Sequence, residues 1–193
     1  MTSQNPLLLF RQWYLEAVDS GIDDPTIMTL ATVDAEGKPT ARIILLKDFN
    51  DRGFVFYTNY QSHKADQLDE NPLAALVIHW NSLGHQVRIE GSVEKISPEE
   101  SDSYFATRPR GSQLGAWASE QSSPISSTDI LTEAMHQKEL EFKDMNVPRP
   151  PHWGGYRLMP ERIEFWVSHE DRLHERTLFE RKGDDWETIL LAP

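Results

Sequence analysis

The sequence predicts a mainly β protein, a closed antiparallel barrel with helices at its periphery. Three observations predict it. Roughly seven or eight β-rich runs follow one another with Gly-bearing turns at hairpin spacing. Roughly three or four helical stretches stand between or beside these runs rather than alternating with each strand, so a doubly wound parallel sheet is not expected. A chain of 193 residues that is 38% hydrophobic and 10% aromatic is long enough for one core and short for two. The expectation is a single domain over residues 1–193, with an N-terminal helix or arm over 1–24 and the barrel with its helices over 25–193.

Leu7, Phe10, Tyr14, Ala17 and Val18 recur at helical spacing after Asn5-Pro6, and "DDP" at Asp23 to Pro25 stops the pattern, so the chain opens on an amphipathic helix. "TIMTLATV", "TARIILLKDF" and "FVFYTNY" then read as strands, with "DAEGKP" and "NDRG" as the turns between them. "SHKADQLDEN" places Ser62 at an N-cap and Asn71-Pro72 at the stop, which makes a short helix inserted between strands. "LAALVIHW" and "QVRIEGSVEKI" resume the sheet through "NSLGH". "SPEESDSYFATRP" carries a capping box, Ser97 with Glu100, and Pro98 at the first helical position; this helix ends at Arg108-Pro109. A longer helix from about Ser126 to Lys143 precedes the Pro-rich connector "NVPRPPHWGG". Strands around "YRLM", "RIEFWVS", "RTLFERK" and "WETILLA" close the chain.

Composition removes several classes of function. A net charge of −12 opposes nonspecific binding to nucleic acid or anionic membranes, so neither is expected as a partner, and any anionic ligand requires a local cluster of cations. With no cysteine there is no disulfide frame, thiolate nucleophile or Cys-ligated metal, and a reducing cytoplasm fits. "MTSQNPLLLFRQWYLEA" lacks the basic leader and cleavage site of a signal peptide, and no run approaches the roughly 18 apolar residues of a membrane span, so a soluble protein is expected.

Four groups of residues carry chemistry, each with an ordinary reading beside it. Ser62, His63 and Lys64 stand on the first turn of a helix, where free N–H groups favour a phosphate; a plain cap and a solvated lysine are the alternative. Arg42 and Lys47 flank the Ile/Leu run of "ARIILLK", but strand alternation puts them on opposite faces, so a shared site needs a bulge, a strand end or two ligand groups. Tyr104 and Arg108 lie four apart on one helix face with Ser112 beyond, a phosphate cup or a tyrosine on an arginine stem. In "HEDRLHER" His169 and His174 are five apart, which is wrong for helical zinc ligation, and no metal site is expected. Arg172, His174 and Arg176 alternate and in a strand share one face, a cationic site in an acidic protein or, as the ordinary alternative, a solvated edge.

Taken in order, "RIILLK", "FYTN", "SHKA", "QVRIEG", "YFATRPRGSQLGAWASEQSS" and "EFW" followed by "RLHER" resemble the pyridoxamine (pyridoxine) 5′-phosphate oxidase family of FMN enzymes, over a span from about Pro25 to the final "LAP". The resemblance implies a split β-barrel that forms a homodimer with FMN in clefts between the subunits. It implies FMN held by Arg42, Ile43, Ile44, Leu45, Leu46 and Lys47, by Tyr57 and Thr58, by His63 and Lys64, by Gln86, by Gln121 and Ser122, and by Trp166 and Arg176. The substrate phosphate falls to Lys47, Tyr104, Arg108 and Ser112, with Arg172 and His174 at the pyridine ring as the catalytic pair. The implied reaction oxidises phosphorylated B6 vitamers at C4′ by hydride transfer to the flavin, which molecular oxygen reoxidises with release of hydrogen peroxide.

Three departures accompany the resemblance. His63 stands where the family usually has Arg, so one cation of the flavin clamp becomes titratable near neutral pH and FMN is expected to bind more weakly as that group deprotonates. The family's Arg before "LAP" is Leu190-Leu191, and the amino-terminal arm lacks the paired arginines of some members. Phenazine-pathway oxidases resemble the same family, but the intact Tyr104, Arg108 and Ser112 favour a B6 substrate. Arg172 and His174 argue against a binding module without turnover.

Overall fold

The computed structural model describes residues 5–193; residues 1–4, part of the expected N-terminal arm, lie outside the described residues. Helix α1 (Pro6–Asp19) opens the chain with Asn5 as its cap, the Asn5 side chain accepting the Leu7 N–H at 2.9 Å, and Pro6 in the first turn, where a missing N–H costs nothing. Its Phe10 plugs one end of the sheet, edge-on to Phe49 and Phe54 with ring centroids 4.8 and 4.9 Å away. Leu7, Phe10 and Ala17 are buried and Tyr14 packs against the core as the spacing predicts, but Val18 is exposed and Trp13 takes the buried place, stacked on His85. A stripe wider than the one read from the sequence covers the barrel end.

Strands β1 (Ile27–Val33), β2 (Pro39–Leu45), β3 (Asp48–Asn50), β4 (Gly53–Asn59), β5 (Leu73–Trp80), β6 (His85–Lys95), β7 (Trp153–Val167), β8 (Glu175–Lys182) and β9 (Asp185–Leu191) form one sheet. Its path is β2-β1-β5-β6-β7-β4-β3, with β8 and β9 branching from β7, and every pairing is antiparallel. Inward residues such as Met28, Leu30, Phe56, Leu76, Ile89 and Leu158 fill the interior.

The expected closed barrel is split. β2 and β3 are the two ends of the path, joined through Leu46 and Lys47 and not by a ladder. The Leu46 N–H bonds the Thr26 carbonyl and the Lys47 N–H the Val55 carbonyl, both at 2.9 Å, so the chain steps here from the β1 side to the β4 side. "TARIILLKDF" is therefore two strands. "YRLM" and "RIEFWVS" are, conversely, parts of one strand, β7, which begins inside the expected connector at Trp153. It serves β4 with its first half and β8 with its second. Pro160 is tolerated because the register shifts opposite Glu90/Gly91; a Cβ on Gly91 would collide with the Met159 carbonyl.

Helices α2 (His63–Glu70), α3 (Pro98–Thr107), α4 (Arg110–Ala118) and α5 (Asp129–Glu141) complete the described fold. α3 starts on the expected capping box, with both reciprocal bonds present. α5 is two to three residues shorter at each end than the predicted Ser126–Lys143. α4 was not expected; it lies within the polar run after Arg108 and buries a single residue, Leu114, in a small second core with Phe105, Phe142, Val147 and Trp153. No helix among the described residues is long and apolar enough to cross a membrane.

Candidate functional site

A cleft of about 870 Å³ opens where the barrel is split. Its walls are the edge strand β2, the step after it, the end of β4, the first turn of α2, the end of α3, and α4. Of the expected residues it gathers Arg42, Ile43, Ile44, Leu45, Lys47, Tyr57, Thr58, His63, Lys64, Tyr104, Arg108, Ser112, Gln121 and Ser122. Arg42 and Lys47 share it because the strand ends between them, which settles the conflict with strand alternation. Leu46 does not line the cleft; it is 3% exposed and belongs to the main core.

Four cations face this space, and among the described residues none forms an ion pair with a carboxylate. Three of them are held by neutral groups. Arg42 donates to the Leu30 carbonyl and to the hydroxyls of Thr32 and Thr40, and Gln67 of α2 in turn accepts from both threonines at 2.6 and 2.7 Å. Lys64, 8% exposed, donates to Thr58, Ser62 and Gln121, all at 3.0 Å. The third, Arg108, lies with its guanidinium 4.5 Å from the Trp153 ring centroid, and its buried Nη1 has no hydrogen-bond partner among the described residues. Lys47, the fourth, is exposed at the strand break. Burial lowers the pKa of Arg42 and Arg108, and burial followed by the Arg42 charge lowers Lys64 to about 8. Unneutralised, desolvated cations in a protein of net charge −12 call for an anion from outside.

Local structure explains the placement. Ser62 stands at the N-cap of α2 but does not cap it; its hydroxyl donates to the Asn59 carbonyl at 2.7 Å and accepts from Lys64. The loop after α4 folds back over this turn: Thr58 donates to Gln121, and Ser122, in a left-handed turn with φ 74°, accepts the His63 N–H at 3.4 Å. Tyr57 and Tyr104 stack at 4.0 Å beside Arg108. Burial first, and then Tyr104, pushes the Tyr57 phenol up to about 12, so it stays a neutral donor. Arg110, the other arginine of "RPRG", turns away and donates to the Met145 and Phe142 carbonyls beyond α5.

Five expected residues lie elsewhere. Gln86 on β6, Trp166 on β7 and Arg176 on β8 stand directly opposite one another across three strands, on one sheet face. Arg176 is forked onto Glu164 at 2.8 and 3.1 Å, and the His174 ring lies 4.6 Å from Trp166. Arg172, His174 and Arg176 do not share a strand face as predicted. Arg172 lies in a 3-10 turn (Glu170–Arg172) with φ 60°, His174 follows it, and only Arg176 is within β8. Trp166 is eleven residues along β7 from Gly155, the partner of Tyr57, or about 35 Å of strand. One protomer does not bring these residues to the cleft.

Sequence reasoning missed Trp153, Thr40 and Gln67. Trp153 has a readable cue in the adjacent Gly154-Gly155, since a Cβ on Gly155 would strike the Tyr57 ring and Ile96. Thr40 and Gln67 have none, because their contact joins segments distant in sequence.

Residues 14–139 match the family model described as pyridoxamine 5′-phosphate oxidase. The chain belongs to the pyridoxamine 5′-phosphate oxidase family. Residues 153–193 match a second model, the pyridoxine 5′-phosphate oxidase C-terminal dimerisation region, and these contain Trp166, Arg172, His174 and Arg176. Among curated relatives, a pyridoxine/pyridoxamine 5′-phosphate oxidase from Microcystis aeruginosa is 54% identical over 193 residues, covering 100% of this chain and 90% of its own length. One of the same name from Cyanothece sp. is 52% identical over 189 residues, covering 98% and 89%. Among solved structures, PhzG from Burkholderia lata in complex with tetrahydrophenazine-1-carboxylic acid superposes with a TM-score of 0.94 at 31% identity, covering 100% of this chain and 94% of its own.

Proposed function

We propose that the protein is an FMN-dependent oxidase that converts pyridoxine 5′-phosphate and pyridoxamine 5′-phosphate to pyridoxal 5′-phosphate, with molecular oxygen as acceptor and hydrogen peroxide as a product; from the amine, water is also consumed and ammonia released. The observation that carries this reading is a cleft with two clusters built on unneutralised cations, Arg42 with Lys64, and Arg108 beside the neutral donors Tyr104 and Ser112. Two groups suit two phosphorylated ligands. The donor set fits FMN: Lys64 is buried among neutral acceptors with no carboxylate among the described residues to neutralise it, and β2 is an end strand of the described sheet that lines the cleft with Ile43, Ile44 and Leu45. Thr58, Gln121 and Ser122 complete that end. FMN held there would supply the hydride acceptor for the oxidation.

This chain's residues bind and orient. Arg108, Ser112, Tyr104 and Lys47 hold the substrate phosphate, the guanidinium as a planar fork and the phenol as a neutral donor. The reading includes a homodimer in which Arg172 and His174 of the second subunit reach the pyridine ring and Gln86, Trp166 and Arg176 reach the flavin. Its support is their absence from the protomer's own cleft and the dimerisation model that covers residues 153–193.

The test is an aerobic assay with added FMN and pyridoxine 5′-phosphate, following the aldehyde and peroxide together. Equal amounts of both are expected. A second reading, oxidation of a reduced phenazine carboxylate, is favoured by the likeness to PhzG, and the same assay with that substrate distinguishes it. Turnover of the carboxylate without turnover of the phosphate ester overturns the B6 assignment.

Flavin affinity is expected to depend on pH through Lys64. The charged ammonium is the form that binds phosphate, and in the ligand-free protein it is held at about 8. Below that pH Lys64 is already protonated and contributes no slope. Above it, binding takes up a proton, and affinity falls by up to about tenfold per pH unit. FMN fluorescence titrations from pH 6.5 to 9.5 measure this, and a flat Kd above pH 8 contradicts it.

A further inference from the structure

Among the described residues the Arg108 guanidinium has no carboxylate partner, and it lies against aromatic faces, Trp153 at 4.5 Å and Phe105 at 5.4 Å from Cζ to the ring centroids. Trp153 is the better placed of the two. It is 7% exposed, lines the cleft, and is parallel to Tyr57 and Tyr104 within 10° and 7°. Its backbone is pinned: Trp153 pairs with Asn59 across β4 and β7, and its carbonyl accepts from Arg149, which is itself paired with Asp102, both at 2.6 Å. Gly154 and Gly155 let Tyr60, Tyr57 and Ile96 close over the strand directly behind it. The indole is thus a fixed platform, and the guanidinium lies on it with one buried N–H group unused.

We infer that Trp153 is a positioning residue for phosphate recognition: its ring holds the Arg108 guanidinium in place without neutralising it, and so gives the cleft its preference for a phosphorylated over an unphosphorylated pyridine. A carboxylate in this position would orient the arginine equally well but would compete with the substrate for its charge. An aromatic face attracts the cation and leaves the in-plane N–H groups free to fork onto an anion. This inference rests on the proposed B6 phosphate substrate.

The test compares KM for pyridoxine 5′-phosphate with Ki for pyridoxine as an unphosphorylated competitor, on FMN-loaded protein, together with the Kd for FMN. Trp153→Leu is expected to raise KM about tenfold, the loss of one desolvated cation–π contact, with Ki and FMN Kd within about twofold of the unaltered protein. Trp153→Phe retains a ring and is expected to stay within about threefold, which keeps the inference testable if the leucine variant folds poorly. A parallel rise of KM and Ki, or an unchanged KM in Trp153→Leu, overturns it. If the unaltered protein itself does not discriminate between the two ligands, the phosphate reading of the cleft fails first and this inference falls with it.

Discussion

Arg108→Ala is expected to raise KM for pyridoxine 5′-phosphate by roughly a hundredfold or more while the Kd for FMN stays within about twofold. The size follows from the environment. Arg108 is half-buried, unpaired with any acid and held on Trp153, so its hydrogen bonds to a phosphate form in a desolvated place where loss of one charged partner costs about 2–5 kcal/mol. FMN binding is spared because Arg42, Lys64 and the Gln121–Ser122 loop form a separate group held by different neighbours. Arg108→Lys restores charge without the planar fork and is expected to fall between the two. Steady-state kinetics with a parallel flavin titration measure this. Equal loss of substrate and flavin binding would show that the two groups of cations do not serve two ligands.

Mixing two impaired variants is expected to restore activity when the substrate is held near the KM of the unaltered protein. Arg108→Ala removes a residue of the cleft, and Arg172→Ala removes one that the same protomer keeps away from it. If each site joins the cleft of one subunit to Arg172 of the other, a mixed dimer has one site lacking both arginines and one site with both. Random reassociation makes half of the dimers mixed, so about a quarter of the unaltered activity should return from two preparations that each have little. Activity measured before and after unfolding and refolding the mixture reads this directly. No recovery, with mixed dimers shown to be present, would place Arg172 in the site of its own subunit or outside the site altogether.

Local signals survive into the fold where neighbours in sequence do the work. The Ser97/Glu100 capping box, Asn5-Pro6 at α1 and the turns "DAEGKP" and "NDRG" need only residues a few positions apart, and these appear as read. Helix α4 was missed because its stretch has little apolar periodicity; it buries only Leu114, and packing against α5 completes it. The strand face assigned to Arg172, His174 and Arg176 failed for the opposite reason. Alternation was counted through a turn in which Asp171 and Arg172 both take positive φ, and nothing in "EDRLHER" marks that turn.

The candidate site divides along the same line. The sequence by itself determined which side chains are available: an acidic protein without cysteine, with Lys64 on a first helical turn and Tyr104 and Arg108 on one helix face, could meet a phosphate only through a few local cations. Only the tertiary structure decided that those cations converge and remain unneutralised. Convergence depends on the break between β2 and β3, which brings Lys47 beside the Arg42 strand, and on long-range contacts from Thr32, Gln67, Gln121 and Trp153. The separation of Arg172 and His174 from the cleft follows from the length of β7, whose two halves pair with different strands. The physical reason is that a charge's partner is set by distance in space, whereas the sequence specifies distance along the chain.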